Sequence, residues 1–525
     1  MAKYGTALTL LLGAVISGCT VGPDYKMPDI SLPDSFVSAV TAIAGAPARD
    51  KPAKAEAGNA APAAMPIDLS TWWRSLGDPE INSLVERAIQ GNFDIGIALA
   101  RLQEARTQEA VVLGASLPAG EVSGADARGT GSDLTRGRVS PLLTSADTTS
   151  GVSQITQIAG FDAAWELDLF GKYRREIEAA KYDTEAAAAA RNSVLVAVVA
   201  DTVRAYVDLR SLQTQLAIQR QNIAVVRNSY DVVRQRFERG ITNELDVTLA
   251  RRELDTLRAG VAPLMAQIEA AQYVVALLLG QLPEKLAGEL SRPAMIPDVP
   301  PEIAPGLPLD LLRRRPDIRE AERELAANTA RIGVATADLF PHVLLTGAAG
   351  IQGAGAGFAP STSQFIWSAG PSAYWDVLDF GTLDALVDIA DLRTHEQSLR
   401  YRQTVIDAVR DVDADIADFA AQQNRVANLS DGIEAAQRAV NLASERYDRG
   451  LTDFLNVLDA ERQEYALELQ FATARQIAAD DFVALFRALG GGWENYQSIP
   501  PIRQPQPAII AAFQRLFEKS GDPAK

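Results

Sequence analysis

The chain has 525 residues, with 50 basic against 67 acidic side chains and a formal charge of −17. That balance disfavours nucleic acid and anionic surfaces as partners of the bulk protein. Two histidines and one cysteine leave almost nothing for a His/Cys metal site, exclude an internal disulfide, and argue against imidazole or thiolate catalysis.

The amino terminus carries Lys3, an apolar run from Ala7 to Ile16, and then Ile16-Ser17-Gly18-Cys19. A basic start, a short apolar core and small residues describe a secretory signal over 1–18, too short to anchor as a helix. The block resembles a bacterial lipobox, which implies a lipid on Cys19 as the only covalent group; Thr20 after it favours the outer membrane. Residues 19–70, rich in Ala, Pro and small polar residues, read as a lipidated tether or surface strap.

An internal repeat sets the rest. Arg236-Phe-Glu-Arg-Gly240-Ile-Thr242 matches Arg446-Tyr-Asp-Arg-Gly450-Leu-Thr452, and Trp165 to Gly171 matches Trp375 to Gly381, both at an offset of 210. Asn92-Phe-Asp against Arg315-Pro-Asp, like Pro118 against Pro341, gives 223, so the first copy holds 13 extra residues between these points. A first unit at 71–283, a Pro-rich linker at 284–308, a second unit at 309–493 and a tail at 494–525 follow. A repeat this long is a duplication rather than a solenoid.

Within each unit the apolar period changes. Short helices near 79–116 and 316–339 precede a stretch of period two. Val343 to Trp375 holds no charge over 33 residues, and Phe365, Trp367, Ala369, Pro371, Ala373 and Trp375 share one face. The first copy repeats the parity with Ile155, Ala159, Phe161, Ala163, Trp165 and Leu167. Alternating segments of this kind predict transmembrane β-hairpins at about 118–169 and 341–379, with Pro371 suited to an edge. Four strands cannot close a barrel, so several chains must share one.

Heptads come next: Leu209, Leu216, Ile223, Tyr230 and Phe237, then Val412, Phe419, Val426, Ile433, Val440 and Tyr447. They predict long helical hairpins at 171–282 and 381–490, each about 100 Å long. Gly240 and Gly450 fit the helix ends, with returning helices beginning near Thr242 and Thr452. Asp407, Asp411, Asp415 and Asp418 form one acidic stripe; the first copy has Ala197, Asp201, Ala205 and Asp208 there. His342 and His395 read as rim or surface residues. Gly-Ala-Gly-Ala-Gly at 353–357 lacks the lysine of a phosphate loop and reads as a hairpin loop.

Trp72-Trp73-Arg74-Ser75-Leu76-Gly77-Asp78-Pro79, Asn92-Phe93-Asp94, the twin Phe-Gly helix starts, the repeated Arg-aromatic-x-x-Gly-aliphatic-Thr turns and Ala488-Leu-Gly-Gly-Gly-Trp493 resemble outer membrane factors of the NodT/TolC type. The resemblance implies an α+β membrane protein. Its helical hairpins form an α-helical tunnel across the periplasm, and a homotrimer contributes four strands per chain to one 12-stranded barrel in outer-membrane lipid. It implies a passive exit duct rather than an enzyme, fed by an inner-membrane pump and a periplasmic adaptor. By the same resemblance the adaptor is expected to dock at Gly240, Ile241, Thr242, Gly450, Leu451 and Thr452, and Asp411, Asp415 and Asp418 are, as a group, the candidates for a periplasmic gate. The lipobox favours drug or metal efflux. A type I secretion duct and a lipid-anchored coiled-coil scaffold without a pore are the alternatives.

Overall fold

The computed structural model describes residues 20–30, 36, 67–130, 153–300, 314–354 and 362–496. A 3-10 turn at Leu69–Leu76, capped by Asp68, leads into α1 (Pro79–Gly91) and α2 (Phe93–Ala115). Asp78 and Asn92 cap these helices by accepting from Glu80 N and from Asp94 N. Strands β1 (Ala119–Thr130) and β2 (Ser153–Leu167) follow, then the 67-residue α3 (Lys172–Glu238), α4 (Glu244–Ala259) and α5 (Val261–Leu278). The second unit runs α6 (Pro316–Ala337), β3 (His342–Ala354), β4 (Thr362–Tyr374), the 67-residue α7 (Thr382–Asp448) and α8 (Phe454–Ala488).

Each long helix spans about 100 Å. Both open on a glycine at positive φ, Gly171 at 86° and Gly381 at 83°, where a side chain would be strained. Asp168 and Asp379 accept from the first free amides, at Arg174 N (3.0 Å) and Leu383 N (2.7 Å).

The four strands form one antiparallel sheet in the order β1-β2-β3-β4. The two hairpins are thus joined, because β2 of the first unit pairs with β3 of the second, placing Trp165 opposite Leu345. Pro371 lies in β4, an edge strand, where a missing donor is tolerated. Register puts Val122, Phe161, Ala349 and Trp367 in one row and Gly124, Ala159, Ile351 and Phe365 in another, on a single face. Val122 and Trp367 on it are 83 % and 72 % exposed. The opposite face carries Glu121, Asp162, Ala348, Thr346 and Ser368, of which Asp162 and Ala348 are buried in the concavity of the sheet.

Below the sheet, α3 packs against α2 and α6 in its upper half and against α4, α5 and α8 in its lower half, while α7 packs on α6 and α8. The main core lies where these meet. Trp72 stacks on Phe486 at 5.4 Å, edge-on to Trp73, beside Phe482, Leu209 and Val199. Gly491 and Gly492 close over it: a Cβ on Gly491 would stand 2.6 Å from Leu69 O, so no larger residue fits.

One expectation needs correction. The returning helix of the first unit is broken at Gly260, where a Cβ would stand 2.6 Å from Gln219 Nε2, and Pro263 follows in the first turn of α5. The returning helices begin near the threonines as expected, at Glu244 and Phe454, with Asn243 and Asp453 in the cap positions.

Candidate functional site

The far ends of the long helices form two matched tips. Gly240 N donates to Phe237 O (2.8 Å) and Ile241 N to Arg236 O (2.9 Å); Gly450 and Leu451 repeat both bonds onto Tyr447 and Arg446 at 2.9 Å. This is the Schellman pattern, with the glycines at φ 74° and 67°. Arg236 joins the tips, donating to Tyr447 O and Asp448 O while its guanidinium lies 4.5 Å over the Tyr447 ring. Thr242 bonds Asp246 and Thr452 accepts from Asn456, so both hydroxyls stiffen their turns. Ile241, Leu245, Leu451 and Leu455 remain well exposed, one apolar side chain in each turn and one at the start of each returning helix. Such a pair suits a helical partner.

Asp411, Asp415 and Asp418 sit elsewhere. Asp415 is 35 residues before Gly450, so the group lies about 50 Å from the tips at mid-height. The stripe is also not a bare hydrated wall. Arg410 pairs with Asp407 (2.9 Å) and Asp411 (2.7 Å), and Arg315 from the start of α6 approaches Asp411 at 4.0 Å. Burial, with Asp411, Asp418 and Asp481 adding repulsion, pushes Asp415 up to about 6 against the pull of Arg315.

α8 supplies the partners that sequence reading missed. Asp480 is pushed up to about 7 by burial and by Asp208, against Arg204. Asp481 rises to about 6 through burial and Asp418. Gln476 donates to Asp208 (2.6 Å) and Arg487 pairs with Asp201 (3.4 Å). Acids from both copies of the duplicated helix therefore converge on one adjacent pair. Asp480-Asp481, set in an otherwise apolar run, was the available signal.

At the junction of sheet and helices His342 lies on the rim, as the first residue of β3, but is not open surface. Its Nδ1 lies 2.6 Å from Glu166, which also accepts from Tyr173 OH (3.0 Å), and its ring stacks on Tyr374 at 4.8 Å. Lys172 pairs with Asp338 at 2.7 Å beside it. Phe170 stacks on Phe340 at 4.6 Å, whereas Phe380, its counterpart in the second unit, is 98 % exposed at φ 53°.

A two-part sheet with an apolar outer face, set on paired 100 Å hairpins, is matched by a family model. Residues 84–281 and 307–491 fit that of the outer membrane efflux protein family. The chain belongs to that family. Among relatives it is 30 % identical to the toluene efflux pump outer membrane protein TtgF of Pseudomonas putida, covering 94 % of this chain and 98 % of that one. It is 28 % identical to nodulation protein T of Rhizobium leguminosarum bv. trifolii over 94 % and 97 % of the two chains. The outer-membrane channel OprN superposes with a TM-score of 0.78 at 36 % identity, covering 90 % of this chain and all of that one.

This outer membrane efflux protein also docks its amino-terminal segment, which composition alone left as a tether or strap. Val21 N donates to Phe170 O (3.1 Å), and the buried Arg175 donates to Val21 O, Gly22 O and Asp24. Gly22 passes so close to Gly333 that a Cβ would stand 2.4 Å from its Cα. Tyr25 OH donates to Glu322 (2.6 Å), and Phe36 is buried on Val412, Ile416 and Leu485. Cys19 itself, the outer hairpin loops with Gly355 to Gly357, and the tail beyond Tyr496 lie outside the described residues.

Proposed function

We propose that three copies of this efflux protein close into one duct, fed by a periplasmic adaptor and an inner-membrane pump. The single carrying observation is the sheet: four strands, apolar outside and polar inside, with β1 and β4 left as open edges. Lipid tolerates no open edge, and single-chain barrels start at about eight strands. Three copies supply twelve.

Quasi-equivalence supports the closure. β2 and β3 come from different repeat copies, so the pairing of β4 with β1 of the next protomer can reuse their geometry. The offsets of 210 and 223 carry the Trp165–Leu345 pair onto Trp375 and Val122, with parity preserved. The same offsets carry the Phe170–Phe340 stack onto Phe380 and Leu117, both exposed in the protomer. Below the sheet, the order α2-α3-α6-α7 likewise leaves α2 and α7 as edges. The exposed Tyr273, Val274 and Leu277 of α5 fit the same seam.

Introducing Leu117→Cys with Phe380→Cys tests this. A short bismaleimide should convert the double variant, but neither single variant, into covalent trimers in outer-membrane vesicles. Monomers alone after treatment would refute the closure.

Lipidation at Cys19 completes the anchor. Thr20, the residue after the cysteine, packs on Gly171 at the base of the sheet. Intact-mass analysis of the mature amino terminus should find acyl chains there; an unmodified cysteine would disprove it. The apolar tips are the adaptor's dock. Asp411, Asp415 and Asp418 act in a changed form, as one side of an acidic belt between α7 and α8 in which Asp415, Asp480 and Asp481 hold protons above the usual carboxylate range. The duct is passive and catalyses nothing, and small-molecule efflux, as named for the toluene pump relative, is its transport class.

A further inference from the structure

We propose that the inner wall of the barrel carries a cation-binding site, one per protomer, built from Asp162, Glu121 and Asp376 of the partner subunit. The site rests on the trimeric closure above. In the observed register Glu121 on β1 stands directly opposite Asp162 on β2, both on the face opposite the apolar one. Opposed side chains have Cβ atoms about 5 Å apart, and like charges placed so destabilise the pair.

Asp162 is only 7 % exposed. Ser123 Oγ donates weakly to its Oδ2 at 3.4 Å, and Oδ1 is buried with no hydrogen-bond partner among the described residues. A buried carboxylate facing a second carboxylate calls for a proton or a cation between them. The sheet supplies no cationic side chain. No Lys or Arg occupies a position on the face of Asp162 in any of the four strands, and His342 on that face is already engaged by Glu166. Lys172 and Arg174, the cations that follow β2, are held by Asp338 and Asp168.

Closing the ring adds to the deficit. β4 ends at Tyr374 in the protomer; extended by two residues along the next chain's β1, the quasi-equivalent register carries the Glu166–Leu344 pair onto Asp376 of the partner subunit and Glu121. Three carboxylates then stand in one row, with the Ser123 hydroxyl beside them. Carboxylate and hydroxyl oxygens on a wet wall suit a hard divalent cation that keeps part of its water shell, of the Mg²⁺ or Ca²⁺ kind. Threefold repetition makes a ring of such sites inside the barrel and biases the exit toward cations.

The purified full-length trimer, wild type and Glu121→Gln/Asp162→Asn, is to be reconstituted in planar bilayers with a KCl gradient. La³⁺ at millimolar concentration on the outer side is the probe. The wild type should prefer K⁺ over Cl⁻ and lose at least half its conductance to La³⁺. The double variant should lose most of that block and show a lower cation preference. Equal block and equal selectivity in the two proteins would overturn the site. A second readout is thermal. In EDTA, Asp162→Asn should unfold at a higher temperature than wild type because the repulsion is gone, and Mg²⁺ should raise the wild type alone. A variant less stable than wild type in EDTA would also overturn it. If wild-type protein conducts nothing, the duct reading itself falls and the site falls with it.

Discussion

At the tips, single residues carry separable roles. Gly240 and Gly450 are required by φ alone, since a Cβ there meets nothing within 4 Å. Gly450→Ala should therefore cost about 1–2 kcal/mol of local stability, from the left-handed backbone, and leave adaptor binding to the trimer nearly intact. Ile241→Asp with Leu451→Asp should do the reverse, because both side chains are exposed in the protomer and hold no core together. Binding of the purified adaptor to folded trimers, measured by surface plasmon resonance, should fall at least tenfold. Unchanged adaptor binding would show that docking lies elsewhere. The tip glycines were legible in the sequence because a Schellman end leaves a local signature. Arg236 was legible only as a repeated letter; its bonds to the other hairpin at Tyr447 and Asp448 depend on tertiary placement.

Among the elements, the heptads announced the long helices, and Leu209 and Val412 are fully buried as that pattern requires. The lower half of α7 behaves differently: beyond Phe419 no residue of it is buried within the protomer, although Val426, Ile433 and Val440 keep the stripe. A stripe says that a helix has a partner, not which chain provides it. The acidic stripe was only half legible for a related reason. Periodicity placed Asp411, Asp415 and Asp418 on one face, but Arg315, Asp480 and Asp481 reach that face from α6 and α8, which no spacing along α7 can reveal. The belt has a consequence for pH. Asp480 holds its proton up to about 7 in the fold, from an ordinary 3.8, chiefly because it is buried beside Asp208. Its contribution to stability is complete below about pH 4 and is lost as pH rises through 7, each tenfold gain in proton affinity on folding being worth roughly 1.4 kcal/mol. Asp415 and Asp481 act in the same direction around pH 6. Thermal unfolding in detergent should show the wild type losing stability from pH 5 to 8, while Asp480→Asn, a mimic of the protonated acid, loses less. Parallel profiles would remove the belt's role.

For the whole molecule, the need for more than one chain follows from two numbers, four strands and about eight as the minimum for closure, so oligomerisation was readable before any coordinates. The joining of the two hairpins through β2 and β3 was not, because strand order is set by packing between the repeats. That cis seam, with its Phe170–Phe340 stack and its Lys172–Asp338 pair, is the template for the seam between protomers. The exposed Phe380 and Leu117 then stop being anomalies and become the two halves of a contact. A density map of the lipid-embedded assembly by electron cryomicroscopy tests the account most directly. It should show three protomers around one axis and twelve strands, with β4 of each beside β1 of the next, Trp375 opposite Val122 and Asp376 opposite Glu121. A ring of another copy number, or β4 meeting β1 in a register that separates those pairs, would contradict it.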